Sequence, residues 1–180
     1  MIEVDGNVYY DYTEPINRMI EAAVGDFQDR WVGNIPLDGT LSASLKNLLW
    51  FKDQMNHDGP WDLKKDDPWK NMFDELRMPL YTGKEDTDEK FIFRGQEISR
   101  EDLGNILYGY MGSVMGLPPE ILYGMGGAVK ELPADASTLD YIMGLSAALK
   151  AGEKDTYNDD ANDYEKIKLG IDLFEQDHER

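Results

Sequence analysis

The sequence predicts an α+β fold, a mostly helical single domain of about six helices with one small β-hairpin. Three observations predict it. Apolar residues recur at helical spacing in window after window. One short stretch, Phe91 to Ile98, instead sets two apolar arms around Arg94-Gly95, as a hairpin does. And with 41% hydrophobic and 11% aromatic residues, the 180-residue chain has enough apolar side chain to fill a core.

Taken in order, Val8, Tyr9, Tyr10 and Tyr12 suggest a short strand or ordered arm. Pro15 stands near a helix start, and Ile16, Met19, Ile20, Ala23 and Phe27 form one stripe. Gly33 to Gly39 reads as a loop. Thr40 or Ser42 can cap a second helix, through Leu41, Leu45, Leu48 and Leu49 to about Asn56. Gly59-Pro60 then stops any helix, since Pro lacks the amide hydrogen. Trp61 can anchor the exit and leave Asp62 and Lys64 on one side of an extended segment. A short helix fits after Asp67-Pro68, and a charged loop from Tyr81 to Glu89 precedes the hairpin.

Ser99-x-x-Asp102 approximates a capping box for the next helix. Pro118-Pro119-Glu120 opens another, to about Lys130. Ser137 to Lys150 makes a further helix, with Leu139, Ile142, Met143, Leu145 and Leu149 expected mostly in the core. The last carries Tyr164, Ile167, Ile171 and Phe174. Residues 1–44 are expected to be an N-terminal arm and helix packed on a domain of residues 45–180, the two making one compact unit.

Composition excludes several functions. Without cysteine there is no disulfide, thiolate metal site or thiol nucleophile. No apolar run is long enough to span a bilayer, so membrane insertion is not expected, and the acidic, aromatic N-terminus does not read as a signal peptide. Eighteen basic against 36 acidic residues give a net charge of −18, which repels phosphate backbones and anionic membranes and favours a basic partner.

Two stretches are candidates for chemistry. On a helical wheel of Asp102 to Val114, one arc carries Leu103, Ile106, Leu107, Tyr110 and Val114; the opposite arc carries Asp102, Asn105, Tyr108, Gly109 and Gly112. Each mid-helix glycine costs about 1 kcal/mol relative to Ala, so two on one face mean close approach by a backbone or a ligand. Helix packing and a functional face both fit, and Gly124, Gly126 and Gly127 favour packing. The second stretch is Tyr157 to Asp163. Asn158, Asp160 and Asn162 alternate like EF-hand ligands, but Asp163 replaces the turn glycine and Leu169 the closing Glu. Acids also belong at a helix N-terminus, and Asn162-x-x-Glu165 resembles a capping box. His57 and His178 form no ligand pair, and Asp62-x-Lys64 matches only the tail of a PD-(D/E)xK nuclease motif.

Three segments together resemble the bacterial polymorphic toxin type 44 domain. They are Trp50-Phe51 through Gly59-Pro60-Trp61-Asp62-Leu63-Lys64, then Glu101-Asp102-Leu103-Gly104-Asn105-Ile106-Leu107-Tyr108-Gly109, then Asp159-Asp160-Ala161-Asn162-Asp163 through Ile167-Lys168-Leu169-Gly170-Ile171. The likeness spans about residues 45–175, and Leu107 stands where the family pattern has a second Asn. The resemblance implies a secreted antibacterial effector, the C-terminal payload of a larger protein delivered into a target bacterium. It further implies a hydrolase of ribonuclease type with a cognate immunity protein. It implies convergence of Asp62, Lys64, Asp102, Asn105, Tyr108, Asp159, Asp160 and Asp163. Asp62 or Asp102 would serve as general base or acid, and Lys64 would stabilise developing charge. Asn105 and Tyr108 would hold substrate. Asp159, Asp160 and Asp163 would either bind a divalent cation or brace the site. Three functions stay open: a nuclease acting on RNA or DNA, a peptidoglycan hydrolase using paired carboxylates, and a binding module without enzymatic activity.

Overall fold

A computed structural model describes residues 2–4, 6–34, 50–55, 90–130 and 137–179. Its elements are β1 (Ile2–Val4), β2 (Asn7–Tyr9), α1 (Thr13–Asn34), a helical segment α2 (50–55), β3 (Lys90–Phe93), β4 (Gln96–Ser99), α3 (Arg100–Val114), α4 (Pro119–Lys130), α5 (Thr138–Ala151), a short 3-10 segment (Glu153–Asn158) and α6 (Ala161–His178). The fold is mostly helical α+β, as the periodicities predict. Contacts cluster into two units, 1–104 and 105–180, with the break inside α3.

In the first unit, the expected short strand near Tyr9 has a partner: β1 and β2 pair antiparallel, Ile2 opposite Tyr9, around Gly6 at φ +81°. A second hairpin is therefore added to the expected one. Asp11 Oδ1 accepts the Thr13 amide at 3.0 Å where α1 begins. The α1 stripe faces inward, with Ile16, Ile20 and Phe27 buried and Met19 and Ala23 half-buried.

The predicted hairpin is β3–β4, with Phe91 opposite Ile98 and Phe93 opposite Gln96. Arg94 and Gly95 both have positive φ, +48° and +78°, which makes the two-residue turn that matches strand twist. A non-glycine residue is uncommon there. Arg94 is held by its surroundings: its amide donates to Thr13 Oγ1 at 2.7 Å and its Nε to Asn17 Oδ1 at 3.0 Å. The other edge of β3 meets the segment before α1, through Tyr12 N to Ile92 O and Ile92 N to Tyr10 O, both 2.8 Å. With both edges engaged, Phe91, Ile92 and Phe93 are all buried.

In the second unit, α4 packs against α5, the 3-10 segment and α6. Where α3 meets α6, the two helices touch through glycines. A Cβ on Gly109 would overlap the Ile167 carbonyl, and one on Gly170 would overlap the Ile106 carbonyl. Ile106, Tyr110, Ile167 and Ile171 are buried around this crossing, each at 5% exposure or less. Burial of such side chains stabilises by about 1.5–3 kcal/mol apiece.

Helix α5 corrects one expectation. Its capping box forms, with Ser137 Oγ accepting the Asp140 amide at 3.3 Å and Asp140 Oδ2 accepting the Ser137 amide at 2.8 Å. But Leu139, Ile142, Met143 and Leu149 are not core; they are 63%, 44%, 63% and 38% exposed. The reason is one-sided packing. Gly124 of α4 lies under Leu145 and Leu149, Ala148 is buried, and the side of α5 carrying Leu139 and Met143 has no such cover among the described residues.

Candidate functional site

The second unit brings together residues far apart in the chain. Asn105 on α3 donates from Nδ2 to Asp163 Oδ1 of α6 at 2.7 Å, across 58 positions. Both side chains are half-buried, so solvent weakens this bond less than it would an exposed one. Asp163 lies in the first turn of α6, where the helix dipole favours a negative charge.

The α6 start is fixed by Asp160, not by the Asn162-x-x-Glu165 box. Asp160 is the N-cap at φ −64°, ψ 140°, and its carboxylate accepts the Asn162 amide at 2.9 Å. An Asp at N-cap suits this job better than Asn162, which is already helical.

Just upstream the backbone does something the sequence does not announce. Thr156, Tyr157 and Asn158 all have positive φ, +49°, +55° and +67°. Left-handed backbone costs an L-residue about 1–2 kcal/mol, and three in succession are unusual. The surroundings hold the turn. Tyr157 is buried, tilted against Tyr123 at a centroid distance of 5.4 Å and stacked with Tyr164 at 6.3 Å. Its amide donates to Gly152 O at 2.9 Å, and Thr156 Oγ1 donates to the Asp159 carbonyl at 2.6 Å.

This turn enters a notch left by Gly126 and Gly127 on α4. A Cβ on Gly127 would overlap the Tyr157 carbonyl, and one on Gly126 would stand 2.7 Å from Asp159 Oδ2. Asp159 thereby lies along α4 and accepts the Asp160 amide on Oδ1 at 2.8 Å. Its charge reaches Tyr108, whose phenol is pushed well above its ordinary pKa, first by burial and then by Asp159. Tyr108 therefore stays protonated at neutral pH, and its hydroxyl donates to the Leu122 carbonyl at 2.9 Å, tying α3 to α4.

Of the other sequence candidates, Asp62 and Lys64 lie outside the described residues, as does His57. Asp102 belongs to the first unit, where the predicted capping box forms: its Oδ2 accepts the Ser99 amide at 2.9 Å, and Ser99 Oγ accepts the Asp102 amide at 3.1 Å. Asp159, Asp160 and Asp163 are engaged in three different local roles, and among the described residues no group of three His, Cys, Asp or Glu side chains is placed to hold a metal ion. Gly109 and Gly112 are buried and abut Ile167 and Leu122, so that face of α3 packs against protein. Leu107 is buried at 5% exposure. Sequence reasoning named Tyr157 only as the edge of the acidic stretch and missed its left-handed turn, for which the adjacent glycines of α4 were the available signal. It also missed Arg100, buried at 8% exposure, which no apolar period marks.

The family model described as Bacterial toxin 44 matches residues 49–176. The chain belongs to that family. Comparison with curated proteins and with solved structures gave no match. The toxin 44 match takes in Asn105, Tyr108, Asp159, Asp160 and Asp163 together with the helices that carry them. Among the described residues, no helix of this toxin-family chain is long and apolar enough to cross a membrane.

Proposed function

We propose that the chain is a hydrolytic toxin acting on RNA, with Asp163 as its general base. The observation that carries this reading is the 2.7 Å bond from Asn105 Nδ2 to Asp163 Oδ1. An amide that donates to one carboxylate oxygen restricts the side chain and leaves the second oxygen to accept a proton. The attacking oxygen gives its proton to Asp163 as it bonds to phosphorus, and the departing oxygen leaves with a proton from solvent or a second acid. Asp159 adds negative charge beside Tyr108 and favours the protonated phenol. Membership of a bacterial toxin family supports a lethal activity, and such a toxin calls for an immunity partner in the cell that makes it.

One observation favours a second reading, hydrolysis of cell-wall glycan. A net charge of −18 disfavours a polyanionic substrate, whereas a glycan needs two carboxylates and no cationic cleft. Inducible expression in the cytoplasm and, separately, with an export signal in the periplasm distinguishes them. Growth arrest from the cytoplasm, with total RNA degraded by micromolar purified protein, is expected. Arrest from the periplasm alone, with altered muropeptides, transfers the assignment to the wall. Asp163→Asn and Asn105→Ala should abolish arrest while the protein stays folded, with a stability loss of only about 1 kcal/mol each; full toxicity in both removes the pair from the chemistry.

A further inference from the structure

Helix α5 is apolar around most of its circumference. A helix of that kind is normally enclosed on all sides. Here Ala148 is buried and Tyr141 and Leu145 are half-buried, while Leu139, Ile142 and Met143 stand 63%, 44% and 63% exposed on the outer side. They occupy i, i+3 and i+4, so they project together as one patch. Clustered exposed side chains of this size, in contrast to scattered ones, mark a surface that meets another molecule. The i, i+3, i+4 spacing is the anchor pattern of helix-to-helix recognition.

Charge decides which molecule. Residues 105–180 carry fourteen acids and six bases, and the whole chain carries −18. A second copy would bring the same −18 to the contact and be repelled. Asp140 is exposed on the same helix, beside the patch. We infer that the outer face of α5 docks a partner protein through a basic amphipathic helix. The partner's apolar side chains cover Leu139, Ile142 and Met143. Its Lys and Arg residues face Asp140, and the net charge of −18 speeds their encounter. The inference rests on α5 and stands apart from the hydrolase reading.

The test uses the full chain and a fluorescent helical peptide of roughly 18 residues, Leu on one face and Lys elsewhere, with a Leu/Glu peptide of the same pattern as control. By anisotropy, the Leu/Lys peptide should bind saturably and at least about tenfold tighter than the Leu/Glu peptide, less tightly as salt is raised. The double variant Leu139→Ser/Met143→Ser should weaken binding by about tenfold or more with an unchanged melting curve, because both side chains are already largely in water. A double variant at other exposed apolar residues, Ile2→Ser/Tyr10→Ser, should bind as the parent does. Absence of saturable binding, equal binding of the two peptides, or binding indifferent to the α5 variant overturns the inference. So does a micromolar dimer in sedimentation that the α5 variant dissolves, which would give the face to a second copy.

Discussion

Replacing Gly170 by Ala sets two effects of opposite sign against each other. In an open helix interior, Gly→Ala stabilises by about 1 kcal/mol, because Ala loses less backbone freedom on folding. At Gly170 the added Cβ overlaps the Ile106 carbonyl oxygen and lies 2.9 Å from both the Ile106 carbonyl carbon and the Tyr110 nitrogen. All three are backbone atoms inside a helix and cannot rotate aside, so α3 and α6 must separate. Overpacking of this kind costs roughly 1–3 kcal/mol. A gap of about 1 Å forfeits between a quarter and a half of the dispersion contacts across it. For Ile106, Tyr110, Ile167 and Ile171 that loss is about 2–4 kcal/mol of the roughly 8 kcal/mol their burial contributes. With the gain of about 1 kcal/mol from Gly→Ala subtracted, the net expectation is a destabilisation of about 2–6 kcal/mol. In urea unfolding followed by circular dichroism, a slope of about 2 kcal/mol per molar lowers the midpoint by about 1–3 M. Gly25, inside α1, is the internal control: nothing lies within 4 Å of its built Cβ, so Gly25→Ala should raise the midpoint by up to about 0.5 M. A Gly170→Ala midpoint equal to or above that of the parent would refute the close crossing.

Three further outcomes follow from the caps and the strained turn. Ser137→Ala removes the N-cap of α5 and should cost about 1 kcal/mol in the same assay; no change would mean that the box adds nothing to the helix. The Asp140 carboxyl is held below its ordinary value of 3.8, first by the Ser137 hydroxyl and then by the Ser137 amide. Its contribution is therefore present above the unfolded pKa and lost as pH falls through the folded one. Protection of the amides at residues 137–141, relative to the intrinsic exchange rate at each pH, should fall in acid, and Asp140→Asn should remove that pH dependence. Tyr157→Ala should cost about 3–5 kcal/mol, since it empties a buried aromatic site and releases the left-handed turn; a loss below about 1 kcal/mol would show that the ring does not hold the turn.

Much of this fold is legible because it follows from local chemistry. The α1 stripe from Ile16 to Phe27 needs only a 3.6-residue period, and the β3–β4 hairpin needs only Gly95 between two short apolar arms. The Ser99–Asp102 box is likewise written in adjacent residues. What periodicity cannot register is whether a neighbour arrives. Leu139 and Met143 carry the same helical signal as buried Ile167, and only the one-sided packing of α4 on α5 separates them. The β1 strand escaped notice because three residues give too short a pattern. The left-handed run at 156–158 escaped because its cause is tertiary: Tyr157 is pinned among Tyr123 and Tyr164, and glycines on another helix make room. At the site, the residue types in Asn105 and Asp163 were visible, but their pairing required α3 and α6 to cross where they do.

That crossing also constrains how such chains can diverge. Gly109 of α3 abuts a carbonyl of α6, and Gly170 of α6 abuts a carbonyl of α3, so one spacing between the axes depends on both. Once either position acquires a side chain and the axes move apart, a methyl group at the other meets less resistance, and the two substitutions together cost less than their separate sum. Relatives should therefore keep the two glycines as a couple or have surrendered both.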